Sequence, residues 1–181
     1  MQHAPESVLS FWFSEIPPSK WFEKSNDFDQ LIAQRFGDLH KCAAVCELYA
    51  WRETPRGRLA EIIVLDQFSR NIHRDHAMAF TCDPLALALA QAAISTGSDG
   101  VLSVKERSFL YMPFMHSESV AIHTLAMDLF DVPGLESSRD FERKHKEVID
   151  RFGRFPHRNA LLSRESTPQE LEFLKLPGSS F

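Results

Sequence analysis

Apolar residues recur three and four positions apart through most of the chain, which is the spacing of an amphipathic helix. Residues 27–48 show it most clearly, with a stripe formed by Phe28, Leu31, Ile32, Phe36, Leu39, Ala43 and Cys46. No stretch alternates apolar and polar residues between turn signals, as a half-buried strand would. The sequence therefore predicts an all-α fold of about seven helices joined by short connectors, with no sheet.

The predicted helices begin and end at recognisable capping residues. Their expected starts are N-cap residues followed by a proline or a capping-box glutamate: Thr54-Pro55, Asp83-Pro84, Ser103 with Glu106, and Thr167 with Glu170. Gly153 is typical of the residue that follows a helix C-terminus, whereas Pro113 is expected either to kink its helix or to restart it. The helix after Asp83 is rich in alanine and leucine, and we expect no chemistry from it.

Length and charge limit the classes of protein that this chain represents. Its 181 residues are enough for one well-buried core, so we expect a single domain over residues 1–181. A net charge of −5 without a long run of one sign argues against a surface for nucleic acid or anionic membrane.

An odd count of three cysteines favours a reducing compartment, and residues 1–6 lack the basic and apolar regions of a signal peptide. The most apolar run, residues 85–94, is about half of the roughly 20 residues that a bilayer crossing needs, so we expect a soluble cytoplasmic protein.

One stretch departs from this general helical pattern, and we call it the polar block. It comprises residues 152–159 and Arg164-Glu165-Ser166, which place guanidiniums, an imidazole and an amide among aromatic residues, a glycine and a proline. Burying such groups without partners is costly. Other segments supply partners of the required kinds: Asp66, Gln67, Arg70, Asn71, His116, Glu118 and His145. We therefore expect the helices to gather around the polar block, as either a small-molecule site or a buried ionic clamp.

Helical phasing indicates which of these side chains point inward. At roughly 100° per residue, Asp66 and Arg70 continue the apolar stripe of their helix, so we expect both inside the fold. His145 likewise projects from an apolar stripe. Regular phasing puts His116 and Glu118 on opposite sides of their segment, so either Glu118 lies in an irregular first turn or the two residues serve different neighbours.

The candidate residues have the chemistry needed for acid-base work on a small anionic substrate. The expected catalytic residues are a proton-carrying histidine and its orienting carboxylate, drawn from His116, His157, Asp66 and Glu118. The expected ligand-binding residues are anion-binding arginines and their neighbours: Arg70, His145, Arg154, Arg158, Asn159 and Glu165. The sequence identifies no cofactor, and it does not decide between an enzyme and a binding protein.

Three alternatives stay open at this level. The acids and arginines could close into a ring of salt bridges that fixes helix register without turnover. Histidines with Asp66 or Glu118 could hold one divalent ion, although the Glu-x-x-His spacing of Glu142 and His145 has no second copy. The third alternative, from another functional class, is a helical module that binds a peptide or protein.

A series of short motifs runs through the chain in a distinctive order: Phe11-Trp12-Phe13, Trp21-Phe22, Gly57-Arg58-Leu59-Ala60, Leu65-Asp66-Gln67-Phe68 with Arg70-Asn71, Pro113 with His116-Ser117-Glu118, His145, and residues 152–159 with residues 164–167. In this order they resemble, over the whole chain, the bacterial family called domain of unknown function 924. The resemblance implies a tetratricopeptide-like helical fold and no particular reaction. The chain departs from the family pattern at Ser119 and His123, where an acidic residue and a glutamine are common.

Overall fold

The computed structural model describes residues 4–180, and in this range the chain is all-helical without a strand, as predicted. Eight α-helices follow one another: α1 Pro5–Ser10, α2 Asn26–Ala44, α3 beginning with Pro55–Ile63, α4 Asp83–Ser95, α5 Val104–Met115, α6 Val120–Leu129, α7 Glu136–Phe152 and α8 Pro168–Leu174. Helix α3 continues through the π-helical turn Val64–Phe68 and ends with Ser69–Ile72. This architecture is compatible with the tetratricopeptide-like description.

Four of the five predicted capping residues lie at helix ends as expected. The side chain of Thr54 accepts a hydrogen bond from the Gly57 N–H over 3.0 Å, and Ser103 and Thr167 each form a complete capping box. Gly153 ends α7 with a φ of 68°, a conformation that glycine adopts without steric cost. The expectation for Asp83 was wrong, because Cys82 is the N-cap of α4 and the Asp83 carboxylate binds arginines instead.

Pro113 does not restart a helix. Helix α5 runs through it to Met115, and His116 is the C-cap. The connector that follows is irregular, and α6 begins at Val120. Both His116 and Glu118 therefore lie between two helices rather than on one, which is why regular helical phasing does not describe them.

The buried apolar residues in the described part of the chain form two clusters. The larger one contains residues of helices α1 through α6, and in it Phe11 and Trp12 are fully buried against Phe68. The smaller one consists of Val148, Ile149 and Phe155, with Phe152 and Phe173 packed against it. Phe155 belongs both to the polar block and to the smaller cluster, so the block is packed into that cluster.

The helical stretch Ala77–Ser95, which includes α4, has 19 residues and is by length and composition apolar enough to cross a membrane. Core helices of soluble proteins pass the same test. Helix α4 packs against α3 and α5, and Asp83 within the stretch forms ion pairs with Arg70 and Arg158. These contacts hold one side of α4, which carries the buried residues Ala86, Ala90 and Ala93, against the fold, and 28% of the stretch is buried.

Candidate functional site

The ionic residues of the polar block fall into two sets with different surroundings. One set forms ion pairs that fasten the block to neighbouring elements. The other set lines two adjacent cavities, of about 290 Å³ (the first cavity) and about 410 Å³ (the second cavity). Phe80, His116 and Arg158 line both of them.

Arg154 belongs to the fastening set. Its Nε and Nη2 atoms donate to the Glu170 carboxylate over 2.7 and 2.8 Å, and Nη2 also donates to the Glu165 carbonyl over 2.8 Å. Glu170 is 2% exposed, and its pKa is lowered to about 2 by Arg154 and by the N–H of Thr167. Arg154 and Glu165 lie outside the lining of both cavities, so the structure does not bring these two predicted ligand-binding residues to the site.

Glu118 and Asn159 also fasten the polar block. The two Nη atoms of Arg164 donate to the Glu118 carboxylate over 2.6 and 2.9 Å, and the Phe155 N–H donates to it over 2.8 Å. Burial opposes ionisation of Glu118, but these donors outweigh it and lower its pKa. Asn159, which is 1% exposed, accepts from Arg164 Nε and donates to the Ser166 hydroxyl, each over 3.0 Å. Glu118 lines the second cavity, but its carboxylate is engaged by Arg164 rather than by His116.

The first cavity is lined by basic, imidazole and aromatic side chains. Its cationic and imidazole members are Lys24, Arg70, Arg74, Arg158, His116, His145 and His157. The carboxylates that bind its arginines, Asp29 and Asp83, are outside the lining. Two acidic residues in the lining, Glu23 and Asp75, are exposed. In the buried part of the first cavity the arginine side chains form the lining, and the carboxylates that bind them lie outside it. This arrangement favours binding of an anion.

Arg158 is buried with few hydrogen-bond partners. It is 6% exposed, and among the described residues it makes one hydrogen bond, from Nη1 to Asp83 Oδ2 over 3.2 Å, while its buried Nε has no partner. Its Cζ lies 4.6 Å from the ring centre of Phe80 and 4.5 Å from that of Phe155. Burial and the neighbouring Arg70 lower its pKa to about 10. Since a guanidinium has five N–H donors, most donors of Arg158 are left for another acceptor.

Arg70 shares the same carboxylate but is well satisfied. Its Nη1 and Nη2 atoms each donate to Asp83 over 2.8 Å, and Nη1 also donates to the Ala79 carbonyl. Asp83 therefore holds Arg70 by two short hydrogen bonds and Arg158 by one longer bond. Two guanidiniums beside one carboxylate leave Arg158 with incomplete charge compensation at the wall of the first cavity.

Asp66 and His116 form a hydrogen-bonded pair between α3 and the end of α5. His116 Nδ1 lies 2.7 Å from Asp66 Oδ1, and the Gln67 amide donates to Asp66 Oδ2 over 2.6 Å. Burial opposes ionisation of the fully buried Asp66, but His116, Arg70 and Gln67 outweigh it and lower its pKa. An ionised carboxylate only accepts, so His116 Nδ1 carries a proton and donates it to the hydrogen bond with Asp66. Nε2 makes no hydrogen bond to any residue within 4–180.

The π-helical turn Val64–Phe68 gives Asp66 its position. Such single-turn bulges insert one residue and change the facing of the side chains in them, and they are frequent at functional sites. Asp66 is 0% exposed and Gln67 is 7% exposed, which agrees with the expected inward position of Asp66. Arg70 keeps more contact with solvent than expected, because its side chain is 22% exposed at the cavity wall.

His145 and His157 are largely buried lining residues whose charged forms are disfavoured. Burial lowers the pKa of His145 to about 3, and its Nδ1 donates to the Phe141 carbonyl over 2.7 Å. Burial and the charges of Arg158 and Arg70 lower the pKa of His157 to about 4. Both imidazoles are therefore neutral at pH 7. His116, which also lines the cavity, pairs with the Asp66 carboxylate.

Sequence reasoning missed a second histidine-carboxylate pair, formed by His123 and Glu142, which are both 0% exposed. His123 Nε2 lies 2.8 Å from the Ser117 carbonyl, and Nδ1 lies 2.6 Å from Glu142 Oε1. The carbonyl requires a proton on Nε2, so the Nδ1 contact needs a further proton, on either the imidazole or the carboxyl. Burial raises the pKa of Glu142, which favours the neutral carboxylic acid donating to Nδ1. The pair joins α6 and α7 to the connector that carries His116, and neither residue lines the first or the second cavity.

Asp83 and Phe80 are the other residues that the sequence did not reveal. Asp83 precedes a proline at a helix start and was assigned to capping, so the helix predicted to carry no chemistry in fact supplies the carboxylate behind both cavity arginines. Phe80 ends the short turn Ala77–Phe80 and had no distinguishing pattern. No group of three or more histidine, cysteine, aspartate or glutamate side chains placed to hold a metal ion is found in the described part of the chain.

Comparisons with other proteins bear out the resemblance seen in the motifs. Residues 8–178 match the family model of bacterial proteins of unknown function called DUF924. The fold is similar to the solved structure of the protein of unknown function ATU0120 from Agrobacterium tumefaciens, with a TM-score of 0.90 and 40% sequence identity over 94% of this chain and 96% of that one. No curated protein sequence matches the chain.

Proposed function

We propose a function for this chain, which belongs to the DUF924 family of bacterial proteins. The basis is the environment of one buried arginine, Arg158. In this proposal the first cavity binds a small metabolite that carries a phosphate or carboxylate group, with Arg158 as the main anion-binding residue. His116, oriented by Asp66, exchanges a proton with the bound compound. The observation that carries the proposal is that Arg158 is 6% exposed yet makes one hydrogen bond of 3.2 Å within residues 4–180.

The anion-binding step rests on the cost of a buried charge without partners. A guanidinium removed from water loses its hydration, and unmade hydrogen bonds of a buried charged group are more costly than those of a neutral one. An anionic oxygen next to Arg158 would accept from the donors that Asp83 does not engage. Arg70 and Arg74 line the same cavity and add positive potential at its wall.

The proton-transfer step rests on the geometry of the Asp66-His116 pair. Asp66 accepts from Nδ1 over 2.7 Å, which holds the imidazole in one orientation. His116 lines the first cavity together with Arg158, so an anion held by the arginine lies in the same space as the imidazole. This combination suits removal or delivery of one proton on a compound that the arginine holds in position.

A thermal-shift screen of phosphorylated and carboxylated metabolites tests the binding step. A ligand at about 100 times its Kd stabilises a protein by about 2.7 kcal/mol, which corresponds to a rise in Tm of about 5–10 °C for a chain of this size. We expect this rise for the wild-type protein and its loss in Arg158→Gln. The matched control is Arg143→Gln, whose side chain is 53% exposed and pairs with Glu147 on the surface of α7. A ligand that stabilises Arg158→Gln as much as wild type would refute the assignment.

A second variant separates catalysis from binding. His116→Gln should bind the stabilising compound but should not convert it, whereas the wild-type protein should convert it in a product assay by mass spectrometry. Equal conversion by both proteins would remove His116 from the mechanism. The alternative of a peptide-binding module predicts that Arg158→Gln leaves partner binding intact and that no small anion stabilises the wild-type protein.

A further inference from the structure

The second cavity has a lining that differs from that of the first cavity. Six of its lining side chains are apolar: Ala77, Phe80, Pro84, Leu87, Pro113 and Leu162. Its two carboxylates, Asp83 and Glu118, are bound by Arg70 and Arg164 over distances of 2.6–2.9 Å. Since these charges are compensated, the second cavity offers an apolar surface and no unpaired anion.

The two cavities adjoin at a common wall. Phe80, His116 and Arg158 line both, so a compound held by Arg158 in the first cavity lies next to the second. Ring atoms of Phe80 cover the guanidinium of Arg158 and contribute to the apolar lining of the second cavity. The same wall therefore presents a cationic group and an aromatic surface to neighbouring parts of one ligand.

We propose that the second cavity binds the apolar part of the ligand whose anionic group occupies the first cavity, so that the substrate class is a phosphate or carboxylate compound bearing a compact alkyl or aryl group. This inference rests on the proposed function. The atoms that join the anionic and apolar parts then lie beside His116, which lines both cavities. A volume of about 410 Å³ accommodates such a group without opening the helices.

The expected signature is affinity that rises with the length of the apolar chain. Each methylene moved from water into an apolar site strengthens binding by about three- to fourfold. Inorganic phosphate and the n-alkyl phosphates from methyl to hexyl form one suitable series, and the n-alkanoates from formate to hexanoate form a second. Isothermal titration calorimetry at constant ionic strength measures the affinity of each compound for the intact protein.

Variants of Leu87 locate the effect. Leu87→Trp fills the second cavity and should abolish the gain in affinity with chain length while leaving the affinity for the shortest anion unchanged. Leu162→Trp alters a different element of the same lining and serves the same purpose, in case one of the two variants does not fold. The matched control is Leu125→Trp, because Leu125 is 52% exposed on α6 and lies outside both cavities.

The outcomes separate this inference from the proposed function. A rise with chain length in either series, lost in a cavity-filling variant and kept in Leu125→Trp, supports the inference. Length-independent binding that still requires Arg158 overturns the inference and leaves the proposed function standing. A rise that persists in both cavity-filling variants also overturns it, since the chain must then bind elsewhere. Failure of every member of both series to bind overturns both.

Discussion

Replacing Arg154 by alanine tests whether this residue fastens the polar block rather than binding a ligand. The change removes two hydrogen bonds to Glu170 and one to the Glu165 carbonyl. Glu170 is 2% exposed and would keep the hydrogen bond from the Thr167 N–H over 2.7 Å, but its negative charge would lose its counterion. The perturbation therefore leaves a nearly buried carboxylate partly satisfied and unpaired.

The magnitude follows from the exposure of the two partners. Breaking a buried ion pair costs about 3–5 kcal/mol when one charge is left unpaired. The Arg154 side chain is 28% exposed and Glu170 keeps its capping bond, so the lower end, about 3 kcal/mol, applies. For a chain of this length that loss lowers Tm by about 6–12 °C.

Urea unfolding at pH 7, followed by circular dichroism, measures the loss as a shift in the transition midpoint. The control is Arg143→Ala, which removes an exposed pair on one helix and should change the free energy of unfolding by less than about 0.5 kcal/mol. Arg154→Ala combined with Glu170→Gln should recover part of the loss, because the unpaired charge is then absent. An Arg154→Ala protein as stable as Arg143→Ala would refute the fastening role.

Three other measurements test separate parts of the structure. Gly57→Ala should destabilise by at least about 1–3 kcal/mol, because a Cβ there would lie 2.0 Å from the Trp51 carbonyl oxygen, whereas Gly37→Ala, with nothing within 4 Å, should stabilise by about 0.5–1 kcal/mol in urea unfolding. Because the pKa of Glu170 is lowered from 4.5 to about 2 in the folded state, its contribution to stability should be complete above about pH 4.5 and lost as pH falls toward 2, and urea midpoints in this range should converge for wild type and the Glu170→Gln variant. Glu142→Gln should retain stability within about 1 kcal/mol, since its amide can hydrogen-bond to His123 Nδ1, whereas Glu142→Leu should lose the bond and unfold at a lower urea concentration; equal stability of the two variants would contradict a stabilising role for this hydrogen bond.

The helical fold could be predicted from the sequence because its signals are local. Capping at Thr54, Ser103 and Thr167 depends on residues within one turn, and the structure forms each of those caps. The assignment of Asp83 failed for the converse reason. Its partners are Arg70 and Arg158, 13 and 75 residues away, and no local pattern distinguishes a capping aspartate from one that binds distant guanidiniums.

The sequence singled out Asp66, His116 and Arg158, which lie at or beside the cavities, but it did not predict how the ionic residues pair. Arg154 and Arg158 are four residues apart in similar surroundings, yet the turn Pro156–Arg158 separates them and they have different partners, Glu170 for one and Asp83 for the other. The pairing of His116 with Asp66 depends on the π-helical turn in α3, which a regular helical period does not describe. Long-range packing decided both outcomes.

The polar block contains residues that fix its backbone by ion pairs and a residue, Arg158, that lines the cavities. Ion pairs of Arg154 and Arg164 fix its backbone to α8 and to the connector after α5. Arg158 is then held at the cavity wall against Phe80 and Phe155 with donors to spare. A preorganised arginine loses little conformational freedom on binding, which favours affinity for a small ligand.

The most direct test of this account is calorimetric titration of inorganic phosphate, and separately acetate, into three proteins at pH 7 and constant ionic strength. If Arg158 binds the anion and Arg154 fastens the polar block, at least one anion should bind wild type and Arg154→Ala with the same affinity, although the variant is less stable, and Arg158→Gln should lose this binding. Binding that is lost in Arg154→Ala and kept in Arg158→Gln would contradict these roles, and so would the absence of binding to the wild-type protein.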